Sequence, residues 1–394
     1  MINTMSEDNK KSENKLFLVD GAKGHTGTYL VKELLEQYPN CKIVATDLPT
    51  DSRKELMTKE TLFSKQLGYM LEILEDPRVE FIAADLTKPE TLKPLFEGKK
   101  YDVVFHPASL YDYFAKLDIL RKINVEGTRN LLNIICETQD LGKLRFIHWS
   151  TCGVYGEPKY EHDKKTKYVI PTDETAPYDP PNDYSISKME QELVVKEFIE
   201  KHGLKATIIR PAPIYGPHQT YGTYHILLVL KVMGNGGVPI WFPKKHRLMF
   251  PSIHVEDLVR AAIFVSEKDE AIGEAYNIIH DMVFMDDWLE WLCQQMGMKY
   301  TIVPIWFPIY KLMSKIIIGV GKLRDKKARK LGIRPLLDVP MLKYITHQYA
   351  FSNKKLKDLG YKFKYDTWTG FKQTVDWYIE HGWLPTEQNG MEVY

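Results

Sequence analysis

Four tyrosines in the chain are followed four residues later by a lysine: Tyr38/Lys42, Tyr155/Lys159, Tyr160/Lys164 and Tyr184/Lys188. A phenol beside an ammonium can do acid/base work on an alcohol or carbonyl oxygen. A free tyrosine, with a pKa of ~10, is a poor base at neutral pH, but a neighbouring positive charge favours the phenolate and lowers that value. Spacing alone does not choose among the four pairs, and the surrounding residues must. Tyr38/Lys42 straddles Pro39 and Asn40, and Tyr155/Lys159 is interrupted by Gly156 and Pro158, so neither holds helical geometry. Tyr160/Lys164 lies in the all-polar "YEHDKKTK" and reads as solvated loop. Tyr184/Lys188 differs. Pro180 and Pro181 can precede a helix, Asn182 or Asp183 can cap it, and Met189, Leu193, Val194 and Phe198 recur until Gly203 ends it. Positions i and i+4 then share one helix face, which sets Lys188 beside Tyr184. A third group must hold the reacting oxygen, and "HWSTCGVYG" offers Ser150 and Thr151 at a strand end, the edge where ligands bind in parallel sheets. Of these two we select Thr151.

A second constellation lies near the N-terminus. "LFLVDGAKGHTGTYLVKELLEQ" sets Gly21, Gly24 and Gly27 between a strand and an amphipathic helix. Glycines there permit a tight turn and let backbone N–H groups approach a pyrophosphate at the positive end of the helix dipole. Twenty residues after Gly27, Asp47 ends the next strand, where a carboxylate can accept hydrogen bonds from an adenosine ribose and would repel a 2′-phosphate. This favours NAD over NADP, although Arg53 and Lys54 lie close enough in sequence to keep NADP open.

The elements that must carry these residues alternate. "KLFLVD", "CKIVATD", "RVEFIAAD", "DVVFHPA", "LRFIHWS" and "KATIIRPA" read as strands separated by helical patterns, such as Thr128, Leu131, Leu132 and Ile135. This rhythm predicts an α/β fold, a Rossmann-type doubly wound parallel sheet with crossover helices. After about residue 212 the alternation loosens into aromatic and proline-rich segments that read as a smaller, irregular C-terminal substrate lobe. The expected organisation is a flexible tail over 1–14, an NAD-binding domain over 15–212 with 253–280 contributing, and a substrate lobe from 213–252 and 281–394.

The composition narrows the partners. Lys+Arg 53 against Asp+Glu 52 gives a formal charge of +1, which argues against a nucleic-acid surface and for a small-molecule partner. Cys41, Cys136, Cys152 and Cys293 form no Cys-x-x-Cys pair and suit a reducing cytoplasm. No His/Cys/Asp grouping has metal spacing, and His106 and His254 read as structural. The apolar run "IVPIWFPIYKLMSKIIIGVG" is broken by Pro304, Pro308, Lys311 and Lys315, so it fails as a membrane span. With Lys311 and Lys315 on one face and Leu312, Ile316 and Ile317 toward another, segment 302–323 is expected to form an apolar lid over the substrate, with peripheral membrane contact or simple packing on the lobe as alternatives. Trp241/Phe242 and Trp306/Phe307 read as lobe core before substrate wall.

Taken in order, "GAKGHTG", "ATD", "AADL", "HPAS", "NVEGT", "STCGVYG", "YSISK", "RPAPIYGP", "HVEDL" and "GEAYNI" give a chain that resembles the extended short-chain dehydrogenase/reductases, also described as the NAD-dependent epimerase/dehydratase superfamily, over nearly all of residues 15–385. The resemblance implies a catalytic set of Thr151, Tyr184 and Lys188, with Asn124 in a supporting position. It implies cofactor contacts from Gly21, Gly24, His25, Thr26 and Gly27, from Asp85 and Leu86 beside the adenine, from Pro107, Ala108 and Ser109, and from Pro211. It also implies a homodimer through the helix after "NVEGT" and the helix carrying Tyr184. Asp20 departs from the threonine usual before Gly21 and is expected to turn toward backbone donors.

Within the superfamily, nucleotide-sugar enzymes commonly place an arginine just before the segment matching "PSIHVEDL", where this chain has Met249 and Phe250, with Arg247 nearby. The apolar "VPIWFPIYKLMSKIIIGVGKL" looks closer to the 3β-hydroxysteroid dehydrogenase-like branch. The expected activity is hydride transfer between nicotinamide and a secondary alcohol or ketone of an apolar, steroid- or lipid-like substrate. A nucleotide-sugar epimerase or dehydratase is the alternative. A non-catalytic NAD-binding scaffold is the remote one, disfavoured by the intact Thr/Tyr/Lys set.

Overall fold

All six strand-like runs form strands: β1 (Leu16–Val19), β2 (Lys42–Asp47), β3 (Val79–Ala83), β4 (Val103–His106), β5 (Arg145–Trp149) and β6 (Ala206–Pro211). The computed structural model describes residues 11, 14–49, 62–156, 169–233, 237–331, 333, 335 and 337–384. Most of the expected tail, Arg53, Lys54 and the Tyr160/Lys164 pair lie outside them. The inner strands are near-continuous apolar runs with both faces covered by helices, and β6 is buried at every position; a parallel sheet demands this pattern. A seventh strand, Ala275–Ile278, pairs with β6. The order is Ala275–Ile278, β6, β5, β4, β1, β2, β3, all parallel.

The direction of winding reverses between β1 and β4, where Phe17 lies level with Val103 on one side and Ile43 on the other. Ligands of open α/β sheets bind at the carboxyl ends of the strands at such a switch point. Helix α1 (His25–Gln37) leaves that edge directly after the glycine loop. The helix Asp183–His202 is capped by the Asn182 side chain, which accepts from the Ser185 amide, and Gly203 ends it in the left-handed conformation.

The C-terminal lobe has its own core around Trp288, Phe250, Phe371 and Tyr215. It holds a parallel strand pair, Val238–Pro243 with Tyr300–Ile305, and a 25-residue helix, Phe307–Leu331. Here two sequence expectations need correction. Trp241 and Trp306 are 46% and 69% exposed, so the first belongs to no core and the second still less. The apolar residues of segment 302–323 form no lid either: none of them lines the cavity at the strand ends, Ile316 is exposed, and every third or fourth residue of the helix packs on the lobe. Among the described residues no helix is long and apolar enough to cross a membrane.

Candidate active site

The glycine loop is built for close approach. Gly21 has φ +58°, and a Cβ there would meet Ala108 Cα at 2.9 Å; a Cβ on Gly27 would lie 2.2 Å from the Gly21 carbonyl oxygen. Neither position tolerates a side chain, and the backbone is left bare at the start of α1. His25 donates from Nε2 to the Pro217 carbonyl at 2.8 Å, and burial lowers its pKa to about 4, so the ring is neutral. Asp47 stands beside the loop. Its Oδ2 accepts the Lys23 amide at 2.9 Å and its Oδ1 the Leu48 amide at 2.7 Å, and each oxygen keeps a lone pair for a ribose hydroxyl. The residues present therefore fit a dinucleotide.

Asp20 does turn toward a backbone donor. Its Oδ1 accepts the Ala108 amide at 2.8 Å, which ties the ends of β1 and β4 together, and its Oδ2 meets His106 Nδ1. The other nitrogen of His106 lies 2.8 Å from Thr128 Oγ1, which also accepts from Gln191 of the Tyr184 helix at 2.7 Å. His106 is thus a structural link between sheet and helix.

A cavity of about 350 Å³ opens at these strand ends and brings together Gly21, Gly24, His25, Thr26, Gly27, Pro107, Ser109, Thr151, Tyr184, Lys188 and Pro211. Asp47, Asp85, Leu86, Ala108 and Asn124 do not line it. Asp85 accepts from the amide and hydroxyl of Thr87, at 2.9 and 2.8 Å, and so closes its own turn. Leu86 packs against Gly127. Asn124 sits in a π-helical stretch, Arg121–Glu126, a geometry frequent at functional sites. Its Oδ1 accepts the Leu110 amide at 2.7 Å and its Nδ2 donates to Ser187 Oγ at 3.0 Å, fastening the loop after β4 to the Tyr184 helix.

Lys188 is fully buried and donates to Ser109 Oγ at 3.2 Å. Burial lowers its pKa to about 7, against the opposing pull of Glu192 and Asp20. For Tyr184 the electrostatics run against the sequence expectation: burial pushes the phenol above its usual range, and the Tyr111 ring adds to this. In the protein alone, desolvation is the largest influence on both groups. Ser150 Oγ donates to Glu192, which also holds Arg210 in a buried ion pair, with Oε2 2.6 Å from Nη2. Thr151 Oγ1 accepts the Gly153 amide at 3.1 Å, and its O–H is left to donate.

Sequence reasoning missed the aromatic wall. Tyr111 and Tyr113 pack edge-on against Tyr184, with centroids 5.0 and 5.4 Å away. Tyr111 also meets Tyr221, whose hydroxyl donates to Asp338 at 2.5 Å. Asp338 caps the helix Val339–Thr346, which lends Met341, Tyr344 and Ile345 to the cavity. The doubled tyrosines of "LYDYF", directly after the cofactor motif "HPAS", were the available signal. Arg247 lies elsewhere: it pairs with Asp286 at 2.7 Å and with Asp287, and does not line the cavity.

A model of the NAD dependent epimerase/dehydratase family matches residues 17–278. A dTDP-D-glucose 4,6-dehydratase of Mus musculus is 26% identical over 379 residues, covering 95% of this chain and 92% of that protein. A sterol-4-alpha-carboxylate 3-dehydrogenase, decarboxylating, of Candida albicans is 25% identical over 381 residues, covering 92% and 97%. Among solved structures, a UDP-glucose 4-epimerase with UDP-glucose from Thermotoga maritima superposes with a TM-score of 0.65 at 22% identity, covering 93% of this chain and 99% of that one, a likeness of fold. With two thirds of its length matched by one family model, the chain belongs to the NAD dependent epimerase/dehydratase family.

Proposed function

We propose that the protein oxidises a secondary alcohol, or reduces the corresponding ketone, on a largely apolar, ring-bearing small molecule. Membership of the family makes it an enzyme that uses NAD, and NAD, when bound, supplies the hydride acceptor or donor. The observation that carries the reading is that Thr151, Tyr184 and Lys188 line the same cavity as Gly21, Gly24 and Gly27. Thr151 donates to the substrate oxygen and fixes its position. Tyr184 exchanges a proton with that oxygen. Lys188 stands one helical turn along and favours the phenolate once charged, while Asn124 keeps the loop and the helix in register.

The substrate class is inferred from the wall. Tyr111, Tyr113, Tyr221, Tyr344, Ile226 and Met341 offer rings and aliphatic surface, and Arg247, the cation that would suit a diphosphate, is engaged by two aspartates. A second reading has its own observation. A neighbouring cavity of about 460 Å³ shares Tyr113 and Tyr344 with the first and is lined by Lys322, Lys326, Arg329 and Lys343, a place for the anionic end of a nucleotide sugar. The dehydratase relative fits that reading, and the sterol dehydrogenase relative fits the first. A homodimer through the helices Gly127–Thr138 and Asp183–His202, with Leu193 exposed at 48%, and residence in the cytoplasm complete the proposal. The test is a panel of 3β-hydroxysteroids, long-chain β-hydroxy compounds and UDP- or dTDP-sugars, followed by nicotinamide absorbance and product identity together. Net NADH formation from a steroid or lipid alcohol is expected; conversion of a nucleotide sugar without net NADH would overturn the first reading for the second.

A further inference from the structure

The helix Phe307–Leu331 has two opposite faces. Tyr310, Ser314, Ile318, Gly321, Asp325 and Ala328 are buried against the lobe. Ile309, Leu312, Ile316, Val320 and Leu323 are 49%, 59%, 57%, 61% and 72% exposed. At about 100° of rotation per residue these five fall within roughly 80° of one another, on the side away from the buried face. Trp306, directly before the helix, is exposed as well.

The charges follow a matching pattern. The helix carries Lys311, Lys315, Lys322, Arg324, Lys326, Lys327, Arg329 and Lys330 against a single acid, Asp325. That acid is buried, accepts the Val339 amide at 3.0 Å and lies 3.3 Å from the guanidinium of Arg324, which stays largely exposed. An exposed apolar stripe flanked by cations, with tryptophan at its end, is the surface of a helix that lies in the headgroup layer of a bilayer.

We propose that this face docks the protein on an anionic lipid surface, with Ile309, Leu312, Ile316, Val320 and Leu323 at the boundary between headgroups and acyl chains, Lys315, Lys326 and Arg324 on the headgroups to either side, and Lys327 and Lys330 continuing the face beyond the stripe at its C-terminal end. A second copy of the chain is the competing occupant. It would cover the stripe, but it would set one row of cations against another with no exposed acid on the helix to pair them, and like charges repel. An anionic bilayer meets both features at once. Lys322, Lys326 and Arg329 of the same helix line the second cavity, so docking would bring that cavity to the membrane surface.

The test is flotation of the full chain with vesicles of phosphatidylcholine alone or containing about 30% phosphatidylserine, alongside light scattering. Binding is expected to the phosphatidylserine vesicles, at least about tenfold weaker on phosphatidylcholine alone, and diminished at high salt. The double variant Leu312→Ser/Ile316→Ser should float about tenfold less and melt at the same temperature, because both side chains are exposed. Absence of binding to either vesicle, or flotation unchanged by the double substitution, would overturn the proposal. So would a dimer that the substitution converts to monomer, since the stripe would then belong to a second copy.

Discussion

The helix Asp183–His202 and the helix Phe307–Leu331 treat charge and apolar surface in opposite ways. The first buries Lys188, Gln191 and Glu192 and holds each among polar partners; the second buries one charge, Asp325, with Tyr310, Ser314 and Ile318, keeps its eight cations exposed and turns five aliphatic side chains outward. Stability alone predicts neither. A buried ammonium and an exposed apolar stripe both cost free energy relative to the reverse arrangement, so packing stability explains neither. Hydrophobic periodicity alone reveals neither arrangement: the Tyr184 helix carries enough buried polar groups to blur its stripe, while the C-terminal helix carries a second apolar stripe opposite the one that packs.

The sharpest way to break the contrast is to unpair the buried charge. Glu192 holds Arg210 through contacts of 2.9 and 2.6 Å and accepts the Tyr178 hydroxyl at 2.6 Å. Glu192→Ala leaves the guanidinium buried without its counter-ion and should cost roughly 3–5 kcal/mol in urea denaturation; a loss below about 1 kcal/mol would mean that the pair is solvated in solution.

Lys188→Met tests the same helix with the opposite sign. The folded pKa, about 7, lies below the ordinary 10.5, so folding opposes protonation. The resulting penalty is absent above about pH 10.5, grows as the pH falls toward 7 and is constant below. Removing the amine should therefore stabilise the protein, by roughly 4 kcal/mol and about 5 °C at neutral pH and by nothing at high pH, while turnover falls. A melting temperature lowered at pH 7 would contradict this.

The smallest effect belongs to the outward face. Leu312→Ser and Ile316→Ser should each change stability by no more than about 0.5 kcal/mol and should leave NAD affinity unchanged, since neither residue lines the cavity. A large loss in either measurement would restore the lid or the core assignment.

These contrasts explain what the sequence could and could not disclose. β1 to β6, the Asn182 cap and the Gly203 stop were legible because apolar runs and capping chemistry act locally. The bare glycine turn and the place of Asp47 beside it were legible because both are set by the ends of adjacent strands. The wall was not: Tyr111 and Tyr113 reach Tyr184 only because Asn124 pins the loop to Ser187, and Tyr221 meets Asp338 across 117 residues of chain. The rise of the Tyr184 pKa was hidden for the same reason, as desolvation depends on neighbours that the spacing of a pair does not name. For Phe307–Leu331 the period was plain, but a period identifies a stripe without saying what covers it.

The central claim is that Tyr184 is the proton-exchanging group of an NAD-dependent site, and it is tested most directly by Tyr184→Phe set against Tyr155→Phe. Tyr155 donates to Asn277 at 2.8 Å and accepts from Arg210 at 2.6 Å, in the core. Turnover and NAD affinity are measured on both folded variants. The account predicts that Tyr184→Phe lowers turnover by ~100–10,000-fold with NAD affinity nearly intact, and that Tyr155→Phe lowers stability while turnover per folded molecule persists. Near-normal turnover in Tyr184→Phe, or a larger loss in Tyr155→Phe, would contradict it.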